Sequence, residues 1–329
     1  FTHENAVASR AYSEVDNGIK TCMYAGYPDL FMQFSKKNEF VFQPDWYRGI
    51  EYPKEQERGY ASNEDLYAPG YFEMSIRKGE SIVFAASTSA SKTSGLKKLF
   101  QEEVDERSPR DNFFHCLVNA AHQFHVEDKN GDAYILAGYP WFKCRARDTF
   151  ISLPGLTLSI EENDYFELVM KTAMKGYQEF MEGKDITVNI TELEQPDVPL
   201  WAIWALQQYA KETSKEECLK KYGKFIKSVM LFIEGNHHPN LELHPNGLLY
   251  ADGKNKAVTW MNSTANGKPV VPRSGYIVEF NALWYNALCF CAALCELEGK
   301  QERQQHLLEL AEKTKQSFLD TFLNEYGYL

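Results

Sequence analysis

The most informative stretch of this sequence is residues 279–297, which read EFNALWYNALCFCAALCEL. Its length and composition are typical of a helix, and its apolar side chains cover nearly the whole circumference. A helix that is apolar on every side must be buried on every side, whereas a helix with one apolar stripe covers a core on one side only. Residues 279–297 therefore predict an inner helix, enclosed by others.

Outward from this stretch, the helical part of the sequence alternates between two kinds of segment. Striped, amphipathic segments lie near 110–126, 163–182, 216–234 and 301–324. The segment that begins near Asp148 and the one from Val198 to about Tyr209 have little polar surface, like residues 279–297. Striped helices are predicted to lie outside and apolar helices inside, so the seven segments indicate concentric rings, an (α/α)6 toroid.

The connections follow the same alternation. Long links of about residues 127–147, 183–197 and 236–278 follow the first three striped segments, and the other links are short. All three long links should therefore leave one end of the toroid, and long loops on a rigid scaffold commonly carry function. Because only three inner helices are present, we expect an incomplete ring that belongs to a longer protein or is completed by another chain.

Residues 1–95 have a different pattern. Short aromatic and β-branched runs are separated by Pro, Gly and Asn turns, which predicts a β-rich domain. The Arg77–Glu80 segment is a predicted hairpin corner, and the small polar residues 87–95 mark the end of the domain. The sequence thus predicts two domains, a β-rich one over 1–95 and a helical one over 96–329.

Composition narrows the class of ligand. The formal net charge is −11 and 14% of the residues are aromatic. Without a basic run, such a chain repels nucleic acid phosphates, so no nucleic acid partner is expected. Neutral polyhydroxylated ligands fit better, because aromatic faces and carboxylates hold sugars.

No cofactor, metal or membrane span is expected from the sequence. The seven cysteines lack zinc spacing and predict free thiols in a reducing, cytoplasmic setting. The His237–His238 pair lacks a carboxylate partner at helical spacing. Residues 128–132 resemble the opening of a calcium loop but lack its final glutamate, so a hairpin turn is predicted there.

The three long loops concentrate the candidate site residues. In the first, Arg147 and Asp148 open an inner helix, and Tyr139 and Trp141 precede them. Asp148 is either a helix N-cap or, with Arg147, a grip on sugar hydroxyls beside stacking rings. Asp197 opens the next inner helix and has the same two interpretations.

The third loop contains Trp260, Asn262 and Arg273, and Glu279 follows at the start of the last inner helix. Trp260 offers a second stacking ring. The Glu279 carboxylate is expected to point towards the centre of the ring.

Three blocks carry a resemblance to a known family: AGYPWFKCRARDTFISLPGLTL (137–158), DVPLWAIWALQQYA (197–210) and TWMNSTANGKPVVPRSGYIVEFNALWYNAL (259–288). Their order and spacing resemble the amylo-α-1,6-glucosidase region of bacterial glycogen debranching enzymes. YAGYPDLFMQFSKKN (24–38) and EDLYAPGYFE (64–73) are similar to that family's upstream β region. The resemblance implies an N-terminal β-sandwich followed by an (α/α)6 barrel.

The resemblance also implies an activity, the inverting hydrolysis of an α-1,6-linked glucose at a branch point of glycogen. Inversion needs a carboxylic acid and a carboxylate base. By the resemblance, Glu279 is the candidate general acid. Arg147, Asp148 and Asp197 are the candidate substrate contacts, together with Asn262 and Arg273 of the third loop, and Asp148 is also counted as catalytic.

One position departs from the family pattern. The family reads TWMD where this chain has Asn262, and an amide cannot transfer the catalytic proton. The substrate expected from the resemblance is a branched α-glucan or oligosaccharide. The alternatives are a non-catalytic glycan-binding protein with a degenerate site and a protein-binding scaffold whose loops do not converge on a pocket.

Overall fold

The computed structural model describes residues 2–139 and 142–329 and divides the chain into two compact units. The first unit ends at Pro109 and the second spans Arg110–Leu329. The first unit therefore extends beyond residue 95, where the sequence pattern placed the domain boundary. Residues 93–95 explain the extension: Thr93 bonds to Asp16, and Leu96 directly after them is buried.

The first unit is rich in strands. They are β1 (Tyr12–Val15), β2 (Gly18–Thr21), β3 (Leu30–Phe34), β4 (Glu39–Glu51), β5 (Asn63–Glu73) and β6 (Phe84–Ser87), with helices α1 (Pro53–Glu57) and α2 (Leu96–Glu106). An antiparallel sheet has the order β1-β2-β3-β6, and β4 pairs with β5. Aromatic rings join the two sheets: Tyr12 lies 4.9 Å from Phe40 and Phe34 lies 4.9 Å from Phe72, centroid to centroid.

The predicted hairpin at Arg77–Glu80 is wrong. A turn does form there, since the Glu80 N–H donates to the Arg77 carbonyl at 3.0 Å. However, β5 before it pairs with β4, and β6 after it pairs with β3. The turn therefore carries the chain from one sheet to the other, a difference of pairing that a local turn signal does not contain.

In the second unit, helices occupy the seven predicted segments. They are α3 (Phe113–His122), α4 (Ala146–Leu156), α5 (Asn163–Met181), α6 (Val198–Glu212), α7 (Lys215–Glu234), α8 (Val278–Leu297) and α9 (Gln301–Phe322). Side chains cap two of them, because Asn112 accepts from the His115 N–H at 2.9 Å and Ser214 accepts from the Glu217 N–H at 3.0 Å.

Short strands fill the connections. They are β7 (His125–Glu127), β8 (Ala133–Ile135), β9 (Cys144–Arg145), β10 (Ile190–Thr191), β11 (Glu242–Leu243), β12 (Leu249–Ala251), β13 (Thr264–Ala265), β14 (Lys268–Pro269) and β15 (Gly275–Tyr276). The hairpin predicted at residues 128–132 is confirmed, since β7 and β8 pair antiparallel around it. All seven cysteines are free thiols, as predicted.

The three apolar helices form one row in the core. The middle helix, α6, packs against α4, α7 and α8, and α8 packs against α9. The buried side chains of α6 and α8 cover a wider part of the helix surface than those of α5 and α7, which lie along one stripe. The enclosure predicted for residues 279–297 is incomplete, because Ala282 and Tyr285 on α8 are exposed.

The stripe predicted on the first helix of this unit is only partly buried. Ala121 is buried, but Phe113 and Leu117 are 79% and 50% exposed. The helix also starts later and ends earlier than predicted, because the chain turns into β7 at His125. Within the described residues, the N-terminal half of α3 covers no core.

Among the described residues, α8 is the one helix long and apolar enough to cross a membrane by length and composition. Half of the relevant window is buried inside the second unit. A core helix meets the same criterion, because both environments select apolar side chains.

Two buried threonines allow a test of the helix packing. The Thr149 Oγ1 has no hydrogen-bond partner among the described residues, whereas Thr172 Oγ1 donates to the Leu168 carbonyl and accepts from the Ala133 N–H, both at 3.2 Å. We expect Thr149→Val to leave the free energy of unfolding within about 0.5 kcal/mol or to raise it, and Thr172→Val to lower it by about 1–2 kcal/mol. Urea unfolding of both variants measures the difference; equal losses would show that Thr149 has a partner.

Candidate functional site

The first two long loops are joined where α4 and α6 begin. Strands β9 and β10 pair in parallel, with Cys144 opposite Ile190 and Arg145 opposite Thr191. The Thr191 hydroxyl also donates to the Cys144 carbonyl at 3.3 Å. The pairing therefore brings the starts of the two helices to the same end of the unit.

A buried ion pair joins the same two helix starts. Arg147 Nε lies 2.6 Å from Asp197 Oδ2, and Nη2 lies 2.9 Å from Oδ1. The two residues are only 5% and 3% exposed. Bidentate arginine–carboxylate pairs have fixed geometry, so this one holds α4 and α6 in one relative position.

This pair corrects the N-cap interpretation of Asp197. Asp197 occupies the N-cap position of α6, but its side chain makes no capping bond. Both carboxylate oxygens accept hydrogen bonds from Arg147 instead. The two residues that were predicted to contact substrate thus contact each other.

Asp148 differs from its neighbour. It lies in the first turn of α4 but not at the N-cap, which is Arg145, so the N-cap interpretation is wrong for Asp148 as well. Asp148 is exposed, and its carboxylate makes no hydrogen bond or ion pair with any described residue. A carboxylate in this position is favoured by the helix N-terminus and is free to bind a ligand.

Glu279 is held by a second arginine. Arg273 donates to both carboxylate oxygens, with 2.7 Å between Nη2 and Oε2. Both side chains are about one quarter exposed, at 26% and 27%. Both Glu279 oxygens therefore accept from one guanidinium, at a position that solvent can reach.

The helix starts and the third loop lie at one end of the unit. Lys256 in the third loop lies 3.3 Å from Glu194 in the second. The side-chain amides of Gln207 and Asn286 exchange hydrogen bonds of 3.1 and 2.9 Å between α6 and α8. A short link joins α6 to α7, so α7 ends near the start of α6. Strand β11 follows α7 and pairs with β12, whose Leu249 bonds to Asn281 in the first turn of α8, so α6 and α8 start at the same end.

Exposed aromatic residues accompany these loops. Tyr139 and Trp260 are 53% and 63% exposed. Trp141, the other predicted stacking residue, lies outside the described residues. The Arg145 guanidinium lies 4.9 Å from the centroid of the Phe142 ring. This cation–π contact packs the Phe142 side chain of the first loop against Arg145.

The structure thus brings some predicted residues into contact and leaves others apart. The contacts are the Arg147–Asp197 and Arg273–Glu279 pairs. Within the described ranges, no hydrogen bond or ion pair links Asp148, Asn262 or Trp260 to the other predicted residues. Sequence reasoning did not find the inter-loop pairs of Glu192 and Glu194, which lie near Arg145 and Lys256, because partners distant in sequence leave no local pattern.

The fold and this end of the helical unit define a class. A mainly helical domain that gathers carboxylates, arginines and exposed rings around three helix starts has the chemistry of a carbohydrate site. Residues 119–328 match the amylo-alpha-1,6-glucosidase family, and residues 1–83 match the N-terminal domain of glycogen debranching enzymes. The chain belongs to the amylo-alpha-1,6-glucosidase family, a glycosidase family of glycogen debranching enzymes. A search of curated proteins found no match.

Proposed function

We propose that this protein is an inverting glycosidase that releases α-1,6-linked glucose from glycogen or a related branched α-glucan. The observation that carries the proposal is the placement of Asp148, Asp197 and Glu279 at the starts of α4, α6 and α8, which lie at one end of the unit. The family match supplies the substrate class. The row α4–α6–α8 is proposed as part of an (α/α)6 toroid, and the cytoplasm as the location.

Each side chain has a proposed role. The free Asp148 carboxylate accepts hydrogen bonds from sugar hydroxyls, and Arg147 and Asp197 set its position by holding α4 against α6. Glu279 is proposed as the general acid. Because both its oxygens accept from Arg273, proton donation requires that Arg273 first turn to the substrate.

A non-catalytic glycan-binding protein is the second candidate, and Asn262 favours it. Asn262 stands where the resembled family has aspartate, and its amide cannot act as an acid or a base at neutral pH. Tyr139, Trp141 and Trp260 could then bind sugar without cleavage. Glucose release from a branched limit dextrin, measured beside direct binding of the same dextrin, separates the two functions.

The proposed role of Asp148 predicts a joint loss of affinity and rate. Asp148→Asn should weaken maltotriose binding by about tenfold or more, because a charged acceptor for sugar hydroxyls is lost. It should also lower the rate of glucose release. Calorimetry and a glucose assay measure the two effects.

Asp164→Asn is the matched control, since Asp164 is an exposed aspartate in the first turn of α5, at the opposite end of the unit. It should change neither quantity. Unchanged affinity in Asp148→Asn would remove Asp148 from the site.

A further inference from the structure

Gly253 lies where two segments of the third loop come very close together. It is buried, and an added Cβ atom would lie 1.8 Å from the Arg273 carbonyl oxygen and 2.8 Å from the carbonyl carbon. Among the glycines described in the second unit, Gly253 is the only one whose Cβ would lie less than 3.0 Å from a backbone atom of another segment. Only a residue without a side chain allows this approach of two backbones.

The two residues before Gly253 contact the same segment. Asp252 Oδ1 accepts from the Ser274 hydroxyl at 3.1 Å. Strand β12 ends at Ala251, which lies opposite Gly275 in the antiparallel pairing with β15. Residues 251, 252 and 253 therefore contact residues 275, 274 and 273 in turn, so the position of Arg273 is set by the end of β12 and the residues that follow it.

The start of α8 is attached to the same strand. Asn281 is fully buried, and its side-chain amide accepts from the Leu249 N–H at 2.7 Å and donates to the Leu249 carbonyl at 3.1 Å. Both ends of the segment 273–281 are thus held by β12 and the residues directly after it. This segment contains both members of the Arg273–Glu279 pair.

The Arg273–Glu279 pair does not fix its own geometry. Both side chains are partly exposed, and ion pairs that solvent reaches contribute little to holding a loop. An arginine side chain also has many rotamers, so an exposed one is not confined to a single direction. Contact with both Glu279 oxygens therefore depends on where the backbone of Arg273 is placed.

We propose that Gly253 and Asp252 are positioning residues for the Arg273–Glu279 pair. Gly253 lets the Arg273 carbonyl approach, Asp252 holds Ser274 beside it, and the backbone placed in this way directs the guanidinium to both Glu279 oxygens. A side chain at position 253 displaces Arg273 and separates the pair. The consequence for glucose release rests on the proposed function, whereas the consequence for the pair does not.

The first test measures the pair itself, by urea unfolding of the full chain. In the unchanged background, the stability losses of Arg273→Gln and Glu279→Gln should not add in the double variant, because either substitution breaks the same contact. In the Gly253→Ala background the two losses should add, because the contact is already broken. Losses that stay non-additive with alanine at position 253 would overturn the proposal. Additive losses in both backgrounds would also overturn it, since Arg273 would then not hold Glu279.

The second test measures glucose release from a branched limit dextrin. Gly253→Ala should lower kcat by about tenfold or more and leave KM within about twofold, because a small displacement of a catalytic group slows the chemical step. It should cause no further loss in a Glu279→Gln background, since it acts through Glu279. A loss that multiplies with that of Glu279→Gln would assign Gly253 a purely structural role.

Gly18→Ala in the first unit is the matched control, because an added Cβ there would lie 2.0 Å from the Met32 carbonyl oxygen. It should lower stability and leave kcat within about twofold for the folded protein. An equal loss of kcat in this variant would show that Gly253→Ala acts by general destabilisation, and would overturn the positioning role.

Asp252 provides a second pair of variants if Gly253→Ala does not fold, since Asp252 is exposed. Asp252→Ala removes the acceptor for Ser274, so the losses at Arg273 and Glu279 should add, whereas Asp252→Asn keeps an acceptor and should leave them non-additive. The same result in both variants would overturn the proposal. If the unchanged chain releases no glucose, the proposed function fails, and the unfolding measurements still decide the positioning role.

Discussion

Replacing Arg147 with leucine should lower the free energy of unfolding by about 3–5 kcal/mol, the usual cost of breaking a buried ion pair. The loss of stability arises because the variant leaves Asp197 buried without its partner. Asp197 is 3% exposed and both its oxygens accept from Arg147, so the variant buries an unpaired carboxylate. Urea unfolding followed by circular dichroism measures the loss.

A matched pair of charges provides the control. Arg145 and Glu192 join the same two loops, but their closest atoms are 3.6 Å apart and each side chain is 29% exposed. Glu192→Gln should therefore cost at most about 1 kcal/mol. The double variant Arg147→Leu/Asp197→Leu should be less destabilised than the sum of the single variants. An Arg147→Leu loss no larger than that of Glu192→Gln would show that the pair does not hold α4 to α6.

The second large effect is expected on catalysis. Glu279→Gln should lower the rate of glucose release from a branched limit dextrin by about 10²–10⁴-fold, the range for removal of a general acid. Maltotriose affinity should change little, because glutamine keeps the size of the side chain and one acceptor oxygen for Arg273. A near-normal rate would exclude Glu279 as the acid.

Glu234→Gln is the matched control for Glu279→Gln. Arg303 donates to both oxygens of Glu234, as Arg273 does to Glu279, but this pair joins the end of α7 to α9. The substitution should reduce stability and leave the rate within about twofold.

Asn262→Asp then separates the two candidate functions. A rise of about 10²-fold or more would show that the amide at position 262 limits proton transfer. If the unchanged protein binds dextrin without releasing glucose and Asn262→Asp does not restore release, the non-catalytic glycan-binding function is correct.

The sequence by itself determined the seven helical segments of the second unit, but not α1 or α2 of the first. Residues 279–297 were assigned to the interior because an apolar helix is stable only when it is covered, and α8 has more buried residues than α5 or α7, although Tyr285 stays exposed. The same reasoning found α4 and α6, and the family motifs indicated the loops that join at the helix starts. These properties depend on side chains close together in the sequence, so local patterns report them.

Tertiary structure alone decided the contacts between distant residues. Arg147 and Asp197 were each recognised as charged residues at a helix start, but their pairing joins positions 50 residues apart. Likewise β5 and β6 flank one turn yet belong to different sheets, and Phe113 belongs to an apolar stripe yet is exposed. The buried His238 ring, whose Nε2 has no hydrogen-bond partner among the described residues, was also hidden, because burial of one atom depends on elements from several parts of the chain. Local sequence fixes periodicity, whereas pairing and burial depend on where the folded chain places each side chain.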